Sequence, residues 1–347
     1  MKNIMFLTQQ ISMGYGVSVV VHEICNILCK SNYNVYIGSN QIDYEIHGVK
    51  SYIIKPDPDV IKKFAISNKI DIIIAHTSPY FEVLPCLAKQ FKCWAWEHGD
   101  PTPEFFDQDI CERSKIIINK QKNVYPFLNK VIAISEFISH DIGYLNSEVI
   151  YNGCDHVIDF GKKTSEDINF SSNSPIKIGT LMRLGTGEAK YKGNNLFLEL
   201  CEKLKKNNVN AEFYVMGRGT SEDAKLFEEK GYKVFRNASD DERSKYLREL
   251  DIFISPSQWE GFNLPVVEAM KSGTLSFVFD IGAHPEVCPF LFSSIDEMAV
   301  NINYCSNNRN LLLKYSEKCY YFVKNKFSWD KNVKRFFELL NENMNNK

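Results

Sequence analysis

The 347-residue sequence has almost no charge imbalance: 43 acidic against 41 basic residues give a formal net charge of −2. Residues 1–155 carry −3 and the remainder +1, so neither half has the basic footprint of a nucleic-acid binder. The ten cysteines are scattered and form no C-x-x-C pair, which argues against a disulfide framework or a zinc site. Buried free thiols in a reducing compartment are the expectation. No uninterrupted apolar run has the length of a bilayer span, so membrane contact is expected to be at most peripheral. Met1 to Leu7 runs into a strand with no apolar region ahead of a small-residue cleavage site, so no signal peptide is expected, and the expected location is cytoplasmic or at the inner face of a membrane. The G-x-G-x-x-G fingerprint with its acidic partner is also missing, which disfavours a nicotinamide dehydrogenase. No convincing D-x-D lies on a loop between strands, and neither a metal nor a separate cofactor is expected.

What is present is an alternation of apolar strands and helices long enough for two domains. Ile4–Thr8 reads as a first strand, followed by a loop with Gly14 and Gly16 and a helix whose Val17, Val20, Val21, Ile24 and Leu28 share one face. Further strands are expected at Asn34–Gly38, Ser51–Ile54, Ile70–Ala75, Cys93–Trp96, Val131–Ile134 and Val149–Tyr151, the pattern of a parallel, doubly wound sheet. Residues 156–175 lose periodicity and read as a polar linker. A second set of strands then starts at Ile176–Leu181 and continues through Ala211–Met216, Val234–Asn237, Asp251–Ser255 and Leu275–Asp280.

The most informative stretch is Ser255 to Met270, which reads as strand end, loop and helix start. Glu260 lies on the loop and Glu268 on the helix, eight residues apart, and between them Phe262, Asn263 and Leu264 offer backbone N–H groups at the positive end of the helix. Two carboxylates flanking an anion site suit a ligand with a diphosphate in its middle and polyhydroxylated groups at both ends. Arg183 and Lys192, beside glycines at another strand end, are the cations a diphosphate leaving group requires. Solvated loop charges are the bland alternative for all four.

The run E-G-F-N-L-P-V-V-E-A-M from Glu260 to Met270 resembles the E-x7-E signature of family 4 retaining glycosyltransferases. Asn263 departs from the glycine usual there. His98 in W-E-H-G resembles the histidine that faces the donor sugar, and His76 in A-H-T-S resembles a second family histidine. Gly217 and Gly219 resemble a G-x-G turn where backbone approaches the donor, and Gly14 and Gly16 take the corresponding place after the first strand. The family's Arg and Lys-Gly pair usually lie six residues apart, whereas Arg183 and Lys192 lie nine apart, which leaves Lys190 as a substitute. The resemblance implies a GT-B architecture, two Rossmann-like doubly wound parallel-sheet domains facing a cleft. The first covers residues 1–160 on the acceptor side, with a helix from about 329 to 347 packing back on it, and residues 175–328 form the donor-binding domain. It also implies metal-independent, retaining transfer from a nucleotide-sugar to a glycan or lipid-linked acceptor, closure of the domains over the donor, and a place in bacterial-type glycan or glycolipid synthesis. Rival expectations are a non-catalytic sugar-nucleotide-binding subunit and a GT-B epimerase or phosphorylase. One further expectation is that Lys115–Lys130 forms an amphipathic helix, either packed on its own domain or lying on an anionic membrane.

Overall fold

All strand pairings in the structure, a computed structural model, are parallel among the described residues, which are 2–106, 109–171, 174–185 and 190–345. One sheet has the order β3-β2-β1-β4-β5-β6-β7, from β1 (Lys2–Ile11), β2 (Tyr33–Ile42), β3 (Lys50–Ile53), β4 (Ile72–Ala75), β5 (Lys92–Glu97), β6 (Lys130–Ala133) and β7 (Ser147–Val149). The other has the order β10-β9-β8-β11-β12-β13, from β8 (Ile176–Leu181), β9 (Ala211–Gly217), β10 (Lys233–Arg236), β11 (Ile252–Ser255), β12 (Leu275–Phe279) and β13 (Leu291–Phe292). In both sheets the winding reverses once, between β1 and β4 and between β8 and β11. Such switch points leave a crevice outside the carboxyl ends of the strands where ligands of open α/β sheets bind.

The chain divides into two units, one of Met1–Pro103, Gln108–Asn152 and Trp329–Lys347, the other of Glu104–Asp107 and Gly153–Ser328. In the first, Ile4 to Leu7 of β1 are buried on both faces, and the helix Gly16–Lys30 covers them with Val20, Val21, Ile24, Cys25 and Leu28. Strand β1 runs longer than its apolar centre because flanking polar residues still pair with β2 as far as Ile11. The helix Trp329–Asn345 belongs to this unit: the Phe336 ring meets Trp94 at 5.8 Å and Trp96 at 5.1 Å, and Arg335 donates to Glu148 at 3.1 Å. The ten cysteines are free, and Cys25, Cys93, Cys154, Cys201, Cys288, Cys305 and Cys319 are buried.

Two expectations are corrected. The stretch read as a linker is bound to the second unit. Lys163 donates to the Leu250 carbonyl, Arg248 donates to the Gly161 carbonyl at 2.9 Å and pairs with Asp167, and Lys271 pairs with Asp159 at 3.0 Å. Its polar residues satisfy helix ends and buried cations, which is why it lacks periodicity. Lys115–Lys130 is likewise not one helix. An α-helix at Ile110–Asn119 widens into a π-turn at Lys120–Val124 and tightens into a 3₁₀ turn at Tyr125–Phe127. The widening brings Lys120 inward, where Glu97 needs a cation, so this lysine is lost from any surface face.

Phe336→Ala should cost about 3–5 kcal/mol, since it empties a buried aromatic site between two tryptophans. Urea denaturation checks this. A change below about 1 kcal/mol would show that the terminal helix contributes little to the first unit's core.

Candidate functional site

The second unit assembles its site from loops at the carboxyl ends of β8, β9, β11 and β12. Gly193 has φ 76° and caps the helix Asn194–Lys206. A Cβ on it would stand 2.1 Å from the Pro256 carbonyl oxygen, so no other residue fits. Gln258 N–H donates to the Tyr191 carbonyl at 2.7 Å. These two contacts hold the segment against the loop after β11, and Lys192 there donates to Glu260 Oε1 at 2.8 Å. Burial alone would strip a proton from Lys192, but the Glu260 carboxylate outweighs it and the lysine is held above its usual range. Arg183 is close enough to oppose this, so both cations act on the same space. Asn194 Nδ2 donates to the Arg183 and Gly185 carbonyls at 3.3 Å, fixing the backbone from which Arg183 extends. Lys190 is exposed, and the intervening residues 186–189 lie outside the described residues.

Glu268 is 2% exposed on the helix Leu264–Lys271, yet it is held as a carboxylate. Burial raises its pKa, but the Arg243 guanidinium at 3.6 Å and the hydrogen bond from His156 Nε2 at 2.8 Å pull it below the usual range. His156 takes Oε1, while Oε2 makes no hydrogen bond among the described residues. Its neighbour is Arg243 Nε, 3.6 Å away and beyond hydrogen-bond reach, so a ligand hydroxyl would supply the short contact that the ion pair does not. Neither His156 nor Arg243 was singled out from the sequence. One lies in the stretch read as a linker and the other in a charged helical turn, and neither position has a recognisable spacing to Glu268.

Asn263 takes a left-handed conformation, φ 76° and ψ 71°, as the N-cap residue of that helix, and its side chain caps nothing. Phe262 is buried with its ring edge-on to Phe327 at 5.2 Å, and Leu264 is the first helical residue. At Gly217 the structural reason for glycine is a chain contact. A Cβ there would stand 1.9 Å from the Met182 carbonyl oxygen, and one on Gly219 would stand 2.8 Å from Leu184 Cβ. Both glycines thus let the segment after β8 press against the end of β9.

In the first unit Gly14, with φ 68°, and Gly16 form the exposed turn into the helix Gly16–Lys30. His76 at the end of β4 and His98 at the end of β5 meet at 3.0 Å through Nδ1 and Nε2. Burial, and then the Lys120 ammonium, lowers His98 to about 3, and burial with His98 beside it lowers His76, so both rings are neutral and share one hydrogen. His76 Nε2 is buried and has no hydrogen-bond partner among the described residues. An orphaned N–H is rarer than an orphaned acceptor, so the hydrogen belongs on His76 Nδ1, and His98 keeps its own on Nδ1 as a donor. Behind them Glu97 accepts from Tyr125 at 2.6 Å and from Lys120 at 2.9 Å, and Lys120 also pairs with Asp100. Burial disfavours the Lys120 ammonium, but these two carboxylates hold it well above its usual range. Lys120, Tyr125 and Asp100 line a cavity of about 150 Å³ with Thr102, Gln121 and Asp141.

Residues 177–308 match the family model described as "Glycosyl transferases group 1". A poly(ribitol-phosphate) α-N-acetylglucosaminyltransferase of Staphylococcus aureus is 27% identical over 159 residues, 42% of this chain and 32% of that protein. The chain spans about a third of the length of the curated relatives it matches. Among solved structures, Anabaena Alr3699/HepE in complex with UDP and glucose superimposes with a TM-score of 0.80 at 17% identity, covering 99% of this chain and all of that one. A sucrose-phosphate synthase of Thermosynechococcus elongatus gives 0.79 at 13% identity over the full length of both. The chain therefore resembles group 1 glycosyltransferases, and its fold is GT-B.

Gly193→Ala should lower the melting temperature by several degrees, because the Cβ clash and the left-handed backbone both oppose it. Differential scanning calorimetry measures this. A variant as stable as the parent would mean that Lys192 is not held in place by this contact.

Proposed function

We propose that this protein is a retaining glycosyltransferase that moves a sugar from a nucleotide-sugar to an acceptor hydroxyl in bacterial-type glycan or glycolipid synthesis. The observation that carries this reading is the second unit's pairing of two buried glutamates with cations at the start of one helix, inside the segment that matches the family model. In this reading Glu260 accepts hydrogen bonds from the donor sugar, and Glu268 accepts them from the ribose through Oε2, which the ion pair with Arg243 Nε leaves without a hydrogen bond. Lys192 and Arg183 neutralise the departing diphosphate, so no divalent ion is required. The pair with Glu260 keeps Lys192 charged before a donor arrives. His98, a neutral N–H donor, is assigned a hydrogen bond to a sugar hydroxyl.

The test is a panel of nucleotide-sugars scored for release of free nucleotide, with and without excess chelator. One donor should be hydrolysed in chelator, and Arg183→Ala should cut release about 100-fold or more while the melting temperature holds; Lys192→Ala should cut it as far but also lower the melting temperature, since it leaves the buried Glu260 carboxylate unpaired. Glu268→Gln should weaken nucleoside diphosphate binding about 10- to 150-fold, the loss of a buried charge-assisted hydrogen bond. Tight binding with no turnover for any donor would favour the non-catalytic subunit instead. Activity lost in chelator and restored by magnesium would overturn the role given to the cations.

A lipid-linked acceptor is favoured by one feature of the first unit. The helix Ile110–Asn119 buries none of its residues, and Ile116, Ile118 and Phe127 are 37%, 48% and 60% exposed. We assign this face to a membrane surface, by apolar insertion more than by charge, since Lys120 is buried and Lys115 pairs with Glu112. Co-sedimentation with anionic vesicles should occur and should fall in Ile118→Asp. Absence of binding at low salt would leave the acceptor unanchored.

A further inference from the structure

The backbone at Asn263 lies in a region that costs a non-glycine residue free energy, although asparagine the least. The residue is 8% exposed, and its side chain does not cap its own helix. The amide instead donates one hydrogen to Ser255 Oγ at 2.8 Å and the other to His284 Nε2 at 2.9 Å. His284 is fully buried, and its Nδ1 lies 2.7 Å from the Phe279 carbonyl oxygen, so Nδ1 carries the hydrogen and Nε2 presents the lone pair. The next turn is pinned to the same loop. Ala283 N–H donates to the Glu260 carbonyl at 2.9 Å, and a Cβ on Gly282 would stand 2.5 Å from that oxygen.

We propose that His284 is a positioning residue that acts through Asn263: its Nε2 lone pair and Ser255 Oγ together hold the Asn263 amide, and so hold the turn from Glu260 to Leu264 in its ligand-binding shape. The inference rests on the reading of this turn as a donor site. With a glycine the turn would be left-handed without help. With asparagine it requires a partner for the amide, and the end of β12 supplies one. The clamp is sensitive to acid. Protonated His284 would turn an N–H toward the Asn263 amide, donor against donor, and the contact would open. Burial keeps the ring neutral, with Glu260 and Asp280 favouring the proton and Lys192 opposing it. Since its pKa in the fold is lowered, the clamp is intact at neutral pH and lost on acidification below the ordinary histidine range.

The experiment is a double-mutant cycle on the full chain, read by calorimetry with UDP, ADP and GDP as probes and by melting temperature. His284→Ala should weaken binding of the preferred diphosphate about 10-fold in the parent background but less than about 2-fold in Asn263→Gly. His284→Gln, which keeps an acceptor, should restore most of the loss. Equal losses in both backgrounds would overturn the proposal, because His284 would then act through Phe279 or the fold alone. If no diphosphate binds the parent, the glycosyltransferase reading fails, while the melting temperatures still decide the clamp: coupled shifts support it and additive shifts refute it. Should His284→Ala not fold, binding of the parent and of Asn263→Gly is compared across acidic pH. The parent should lose affinity first, and parallel curves would refute the clamp.

Discussion

Burying carboxylates at the end of a parallel strand, as Glu97, or on the loop and helix that follow one, as Glu260 and Glu268, is the constraint on which the structure depends. Such a charge is costly unless a cation or strong donor meets it, and every pairing of this kind found here crosses a long stretch of chain. Glu97 meets Lys120 and Tyr125 in the first unit. In the second, Glu260 meets Lys192 from 68 residues away, and Glu268 meets His156 from 112. Each pairing fixes where an intervening loop must lie. The π-turn at Lys120–Val124 and the left-handed Gly193 are the local adjustments that let the cations arrive.

The pairings also explain why the site is ready for a ligand without being satisfied. Lys192 is committed to Glu260 yet lies on the side where Arg183 is felt, so an incoming dianion would meet two cations and one competing carboxylate. Glu268 has one oxygen hydrogen-bonded to His156 and the other held only by the longer ion pair with Arg243 Nε. A ligand hydroxyl reaching that oxygen would supply the short contact that the guanidinium, 3.6 Å away, does not, while the guanidinium keeps the group ionised.

Much of this was legible in the sequence, and the parts that were not share a cause. Strands such as β8 and β11 announce themselves through continuous apolar runs, since both faces of a parallel sheet are covered. Glu260 and Glu268 were legible because the turn between them is contiguous. Their partners were not, because no local pattern links His156 or Arg243 to Glu268, or His284 to Asn263. The stretch 156–175 looked like a linker for the same reason: its polar atoms bond to Leu250, Arg248 and Lys271, far along the chain, and leave no period. Lys120 misled in the opposite sense, as a charge beside exposed isoleucines that turned out to be buried.

The uneven reach of the likeness to known proteins has a physical reading too. The family model covers residues 177–308 of the second unit, whereas the first unit is matched by solved structures only at the level of fold. If the second unit holds a nucleotide-sugar, its ligand is chemically the same from one enzyme to the next, with a diphosphate and a ribose that demand the same cations and carboxylates at fixed spacing. The acceptor has no such common core. If the first unit takes the acceptor, it would need to keep only the sheet and a histidine able to donate, and groups such as Asp100, Thr102, Gln121 and Asp141 around a small cavity would be free to follow the acceptor. The Asn263 clamp obeys the same logic at finer scale. If this turn fits a diphosphate, its shape is kept although asparagine stands at the left-handed position, and the compensation lies in Ser255 and His284, where a ligand would impose no identity.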